Sequence, residues 1–219
     1  MRITAVKTAA TQGHGMHLWV KVETDAGITG IGECVHGGVQ AIALIQALSE
    51  KLVGRDPFAI DALFEEMRRG HVFDGGTAGA LVTALTGIEI ALWDLKGKAL
   101  GVPITELLGG RFRDRIRVYA DCEVDPRMDA GEVRKVVDEV RERGFTALKI
   151  DVDEGEAPHK DAFNFTAGEY EHNRMMGLIE RVYEAAGDDI AMAVDVHTRL
   201  DVPSAIRLAR DCERFHLLW

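Results

Sequence analysis

Polar and apolar residues alternate through Arg2-Ile3-Thr4-Ala5-Val6-Lys7. They alternate again from His17 to Glu23, where Leu18, Val20 and Val22 make one face. A period of two is the signature of a strand with one side buried. Asp25-Ala26-Gly27 reads as a turn and Ile28–Gly32 as a third short strand, so the chain is expected to open with an antiparallel three-stranded meander. The period then lengthens. Ile42, Leu44, Ile45, Leu48 and Leu52 predict a helix over 40–53. Pro57 suits the first turn of a second helix over 57–69, where a missing N–H does no harm. Gly75-Gly76 breaks the chain. Ala78–Leu100 is apolar nearly all round, which predicts a buried helix, ended by Gly101 and Pro103.

From Arg115 the pattern becomes repeating strand and helix. Strands are predicted over Ile116–Ala120, Thr146–Ile150, Ile190–Val196 and Phe215–Trp219. Helices are predicted over Ala130–Arg143, about 168–186 and 203–213, the first two closed by Gly144 and Gly187. Such units predict a parallel sheet covered by helices. The segment 152–167 is the one long irregular stretch. The expected organisation is an α+β domain over 1–114 followed by the first part of an α/β domain over 115–219. Functional residues of parallel α/β folds gather at the C-terminal ends of strands. Two polar groups stand at such ends: Lys149 with Asp151, and Asp195 with His197.

Composition narrows the function classes. With 47% hydrophobic and 28% charged residues among 219, the chain can build a core. No run approaches the roughly 18 apolar residues of a membrane helix, and MRITAVKTAA lacks an apolar signal core, so a cytoplasmic protein is expected. Cys34, Cys122 and Cys212 are odd in number and show no paired spacing, the pattern of free thiols in a reducing compartment. A net charge of −10 without a basic cluster argues against nucleic-acid binding, which needs a positive face.

The stretch Ala84–Ala120, ALTGIEIALWDLKGKALGVPITELLGGRFRDRIRVYA, strongly resembles the segment of mandelate racemase-type proteins of the enolase superfamily that joins the capping domain to the first barrel strand. VETDAGITGIGE, from Val22 to Glu33, is similar to the second and third strands of the same cap. The resemblance extends over nearly the whole chain and is weakest in 34–75 and 152–175. It implies a capping domain on a modified TIM barrel, an essential Mg²⁺ and an enolate intermediate. The chemistry is coherent. A proton next to a carboxylate is hard to remove because the product dianion is poorly stabilised; a divalent cation on the carboxylate oxygens offsets that charge while a base takes the proton.

On the resemblance, Asp195 matches the family's first metal ligand, and a carboxylate suits Mg²⁺. A plain helix cap is the alternative. His197, two residues on, matches an Asp-x-His of some sugar-acid dehydratases, whose histidine protonates the departing hydroxyl; a structural loop histidine is the alternative. Lys149 matches the first position of the family's Lys-x-Lys, but Asp151 replaces the second lysine, usually the base. The two can pair, which disfavours two-base racemisation; Lys149 and Asp151 remain candidate catalytic residues, at least one of them meeting substrate or metal, Lys149 through a substrate carboxylate or hydroxyl, and a structural ion pair is the alternative. His14 lies between the first two strands, in a loop that closes over substrate in the family, and is a candidate substrate contact. Arg199 is another, with surface pairing the alternative. His159, Lys160 and Asn164 in the long loop are candidates for covering the site. Trp93, Asp94 and Lys96 read as structural; Cys122 and His36 carry no assignment.

A TIM barrel closes with eight strands over roughly 200–250 residues, and 115–219 has room for three strand–helix units and a fourth strand. The resemblance puts the other two metal ligands at the ends of the fourth and fifth strands, beyond Trp219. The chain is therefore expected to be truncated and the isolated 219 residues inactive. Two readings follow. One is a Mg²⁺-dependent dehydratase of a sugar acid, with a racemase, epimerase or cycloisomerase of the same superfamily as the alternative; such proteins are often homo-oligomers. The other is a non-catalytic half-barrel that associates through an open sheet edge.

Overall fold

A computed structural model describes residues 1–13, 15–34, 39–74, 78–153 and 165–219. The expectations for His14, His36, His159, Lys160, Asn164 and the Gly75-Gly76 break lie outside the described residues. The chain divides into two compact units, Met1–Asp114 and Arg115–Trp219.

The first unit opens with β1 (Ile3–Gly13), β2 (Gly15–Thr24) and β3 (Thr29–Cys34), an antiparallel sheet in the order β1-β2-β3. The turn between β2 and β3 places Gly27 at φ 75°, a conformation glycine adopts without steric cost. Among the described residues four α-helices follow: α1 (Val39–Leu52), α2 (Ile60–Gly70), α3 (Ala80–Leu100) and the single turn α4 (Ile104–Leu107). Leu18, Val20 and Val22 bury one face of β2 against Ile45 and Leu48 of α1 and Leu85 and Ile88 of α3. The second helix starts three residues later than Pro57 suggests, at Ile60. Asp56 Oδ1 accepts the Phe58 N–H at 3.0 Å, so 56–58 form a side-chain-stabilised turn before the helix. On α3, Asp94 accepts the Ile31 N–H at 2.8 Å and the Lys96 ammonium lies over the Trp93 and Phe58 rings, structural roles in each case.

Two glycines set the depth at which α3 meets β3. A Cβ on Gly30 would stand 1.9 Å from Ala91 O, and one on Gly32 would stand 2.1 Å from Gly87 O. Backbone touches backbone there, and no side chain fits between.

The second unit carries β4 (Ala120–Cys122), α5 (Ala130–Glu142), β5 (Ala147–Asp151), α6 (Glu169–Ala186), β6 (Ala191–Asp195) and α7 (Val202–Cys212). The strands form a parallel sheet in the order β4-β5-β6. Leu148, Ile150 and Met192 pack with Val133 and Val137 of α5 and Leu178, Ile179 and Val182 of α6. Because side chains alternate across a strand, Asp121, Lys149, Asp151 and Asp195 fall on the opposite face. Asp129 caps α5 in a reciprocal box with Glu132, and Asp201 caps α7 through Ser204 N.

Two predicted strands differ from the structure. The first begins at Ala120 rather than Ile116. Ile116 and Val118 are 75% and 61% exposed, and pairing starts only where Ala120–Cys122 come into register with Leu148–Ile150. Arg117 reaches across instead and donates from Nε to Thr146 Oγ1 at 3.0 Å. The second is Phe215–Trp219. Residues 213–215 form a 3₁₀ turn and His216 is left-handed at φ 49°. The last residues then run beside β6, Leu218 N donating to Met192 O at 2.8 Å and Val194 N to Trp219 O at 3.1 Å, without becoming a strand. Cys34, Cys122 and Cys212 are free and buried, and burial pushes the thiols of Cys122 and Cys212 up to about 11. Among the described residues no helix is long and apolar enough to cross a membrane.

Candidate active site

The sheet register of the second unit builds the site. Asp121 stands opposite Lys149, and Asp151 opposite Asp195. All four side chains leave the C-terminal half of the sheet on the face away from the helical core, so they converge. The Lys149 side chain is only 8% exposed; its ammonium lies 2.9 Å from Asp121 Oδ1, 2.8 Å from Asp151 Oδ1 and 3.8 Å from Asp195 Oδ2. Burial works against the charge on Lys149, but the carboxylates of Asp151 and Asp121 outweigh it and hold the ammonium above the ordinary lysine range. Lys149 is thus a fixed cation.

Immediately after β6 the backbone turns through two left-handed residues, His197 at φ 46° and Thr198 at φ 56°. The Asp195 carboxylate ties down that turn, accepting the His197 N–H at 2.9 Å. This bond is the first cause of an Asp195 pKa below the usual carboxylate value, burial opposing it. The imidazole of His197 packs its Nδ1 3.0 Å from Asp153 Oδ1 and its Nε2 3.9 Å from Asp151 Oδ1. The bond to Asp153 is the main reason that His197 holds its proton above the ordinary histidine value. Arg199 Nε lies 3.3 Å from Asp153 Oδ2.

Asp195, His197, Lys149, Asp151 and Arg199 therefore come together in one cluster within the second unit, while His14 lies outside the described residues. Two members were not expected from the sequence. Asp121 is visible afterwards as the polar residue of Tyr119-Ala120-Asp121-Cys122 at a strand end. Asp153 falls at the start of a segment read as loop. Its signal is the continued alternation Ile150-Asp151-Val152-Asp153, which extends the inward face by one more step.

The donor set suits a hard divalent cation. Ligand atoms of Asp151, Asp195 and His197 all lie within 4.8 Å of one another. Asp151 Oδ1 is buried without a hydrogen bond of good geometry, its nearest cation being the Lys149 ammonium at 2.8 Å. A buried carboxylate oxygen with spare accepting capacity is what such a cation takes up.

Residues 2–109 match the family described as the mandelate racemase / muconate lactonizing enzyme N-terminal domain, and residues 132–219 match the enolase C-terminal domain-like family. The chain is 37% identical to a D-xylonate dehydratase of Haloferax volcanii, over 99% of this chain and 53% of that protein. It is 35% identical to a D-galactonate dehydratase of Xanthomonas oryzae pv. oryzae, over 97% of this chain and 53% of that protein. The chain spans about half the length of the curated relatives it matches. Among solved structures, a mandelate racemase/muconate lactonizing enzyme-like protein from Rubrobacter xylanophilus superposes with a TM-score of 0.89 at 41% identity, covering 100% of this chain and 59% of that one. With a capping-domain sequence first, a partial enolase-type domain on a parallel sheet second, and sugar-acid dehydratases among its relatives, the chain belongs to the enolase superfamily, in its mandelate racemase/muconate lactonizing enzyme branch.

Proposed function

We propose that the protein to which these residues belong is a Mg²⁺-dependent sugar-acid dehydratase, and that the site at the ends of β5 and β6 is part of its active centre. The observation that carries this reading is the pairing of Lys149 with Asp151 beside Asp195-x-His197. A lysine held cationic by carboxylates cannot accept a proton near neutral pH, which disfavours racemisation by a lysine base. A histidine held two residues from a carboxylate ligand suits protonation of a leaving group.

Asp195 would hold the cation, with the Asp151 oxygen next to it. When bound, a divalent cation there supplies charge neutralisation for a substrate carboxylate as the adjacent proton leaves. The chain's own groups do the rest. Lys149 fixes negative or hydroxyl oxygens of the substrate from a buried position. His197 carries a proton to the departing hydroxyl oxygen; the C–O bond breaks with its electron pair on oxygen, and water leaves. Arg199, beside Asp153, is a candidate for the distal end of an acid-sugar chain. The two further carboxylate ligands and the base that the superfamily chemistry calls for are not assigned to any of these residues, so the isolated 219 residues are expected to show no turnover. Free buried cysteines support a reducing, cytoplasmic setting.

The test is a sugar-acid library, D-xylonate and D-galactonate included, assayed for 2-keto-3-deoxy products with and without Mg²⁺ in the full gene product. No product from any acid would overturn the dehydratase reading. Exchange of the α-hydrogen with solvent without dehydration would favour an epimerase instead.

A further inference from the structure

The buried carboxylate of Asp153 has no part in the reading above. Its side chain is 1% exposed, and a carboxylate is almost never that buried unless it is paired. It stands two residues beyond Asp151, where the ladder runs on for one more bond, Val152 N donating to Asp195 O at 3.2 Å. Its two oxygens meet the first and third residues of the strained turn after β6. Oδ1 is 3.0 Å from His197 Nδ1. Oδ2 is 3.3 Å from Arg199 Nε but receives no hydrogen bond.

An ionised carboxylate only accepts, so the hydrogen in the contact with His197 sits on Nδ1. We propose that Asp153 is a positioning residue that fixes the imidazole of His197 as the Nδ1–H tautomer and turns Nε2 toward Asp151 and Asp195. The left-handed His197 and Thr198 are non-glycine residues in a conformation that surroundings must impose. Asp195 restrains the backbone of the turn at His197 N, and Asp153 restrains the ring. With both in place only Nε2 is free to meet a substrate oxygen. The consequence for turnover rests on the reading of His197 as the proton donor; the tautomer itself does not.

The experiment is a long-range proton–nitrogen correlation on ¹⁵N-labelled 219-residue chain at alkaline pH, where the ring is neutral. His197→Gln identifies the resonances. The expected result is a protonated Nδ1 and a bare Nε2 in the wild type, with the pattern shifting toward protonated Nε2 in Asp153→Ala. A predominantly protonated Nε2 in the wild type overturns the proposal. Asp153→Asn keeps an acceptor in place and serves where the alanine variant does not fold; it should retain the wild-type tautomer. In the full gene product, Asp153→Ala should lower kcat by roughly tenfold to a hundredfold, the range for partners that orient ligand histidines. KM should change little, and Asp153→Asn should recover most of the loss. Equal losses in both variants, or an effect on KM alone, count against positioning. A protein with the expected tautomer that dehydrates no acid would sink the dehydratase reading and leave this one standing.

Discussion

Lys149 Nζ and Asp151 Oδ1, two residues apart on one face of β5, lie 2.8 Å from each other. The pair occupies the place where the superfamily resemblance leads one to expect two lysines, and it turns a candidate base into a resident counter-ion for three carboxylates. Lys149→Met should therefore destabilise the second unit by leaving those carboxylates uncompensated. Breaking a fully buried pair costs about 3–5 kcal/mol. The side chains of Asp121 and Asp151 are 66% and 25% exposed, which puts this loss below that range. Mg²⁺ should restore part of the loss. Urea unfolding with and without Mg²⁺ checks both points, and a variant as stable as the wild type without the ion would contradict the account.

Asp195→Asn should weaken Mg²⁺ binding to the full gene product by at least about tenfold, since the amide oxygen carries no charge for a cation that prefers carboxylates. Titration calorimetry reads this without any turnover. Unchanged affinity would remove Asp195 from the proposed ligand set.

Gly32→Ala should destabilise the first unit. Overpacking costs typically 1–3 kcal/mol. Here the new methyl would meet the Gly87 carbonyl at 2.1 Å, and a backbone oxygen cannot change rotamer to make room. Thermal unfolding should show a clear loss; a shift within error would mean that α3 slides away from β3 at little cost.

The cap of α7 gives a pH dependence of known sign. Bonds from Ser204 and then Thr166 lower the Asp201 pKa below the usual carboxylate value. A depressed folded value stabilises above the unfolded value of about 3.9, and that contribution is lost as pH falls through the folded value. Amide exchange at Ser204, whose N–H donates to Asp201 Oδ1 at 2.9 Å, should quicken relative to α5 on acidification. Asp201→Asn should flatten this response, and an unaltered response would assign it elsewhere.

The meander and the helices were legible because their periods are undisturbed: Leu18, Val20 and Val22 alternate and are all buried. Ile116-Arg117-Val118 has the same alternation and forms no strand, since a period records which face is apolar and not whether a partner stands beside it. Phe215–Trp219 is apolar enough for a strand, yet the left-handed His216 interrupts it. At the site, Asp195 and His197 were legible through the resemblance, and Lys149 with Asp151 through their place at a strand end. Asp121 and Asp153 were not. Local alternation puts each on the inward face, but the partner that gives it meaning lies 28 or 44 positions away, Lys149 beside Asp121 through the register and His197 bonded to Asp153, and local pattern does not name a partner at that range.

The row Asp121, Lys149, Ala193 and the row Asp151, Asp195 are fixed by the same alignment that pairs β4, β5 and β6. Sliding β5 by a single residue would send Lys149 into the hydrocarbon layer beneath α5 and α6 and strand the aspartates with no ammonium among them. Correct alignment and a working charge constellation are thus the same event. A mis-threaded sheet in this unit would announce itself as an electrostatic fault before it could be tested as a catalyst.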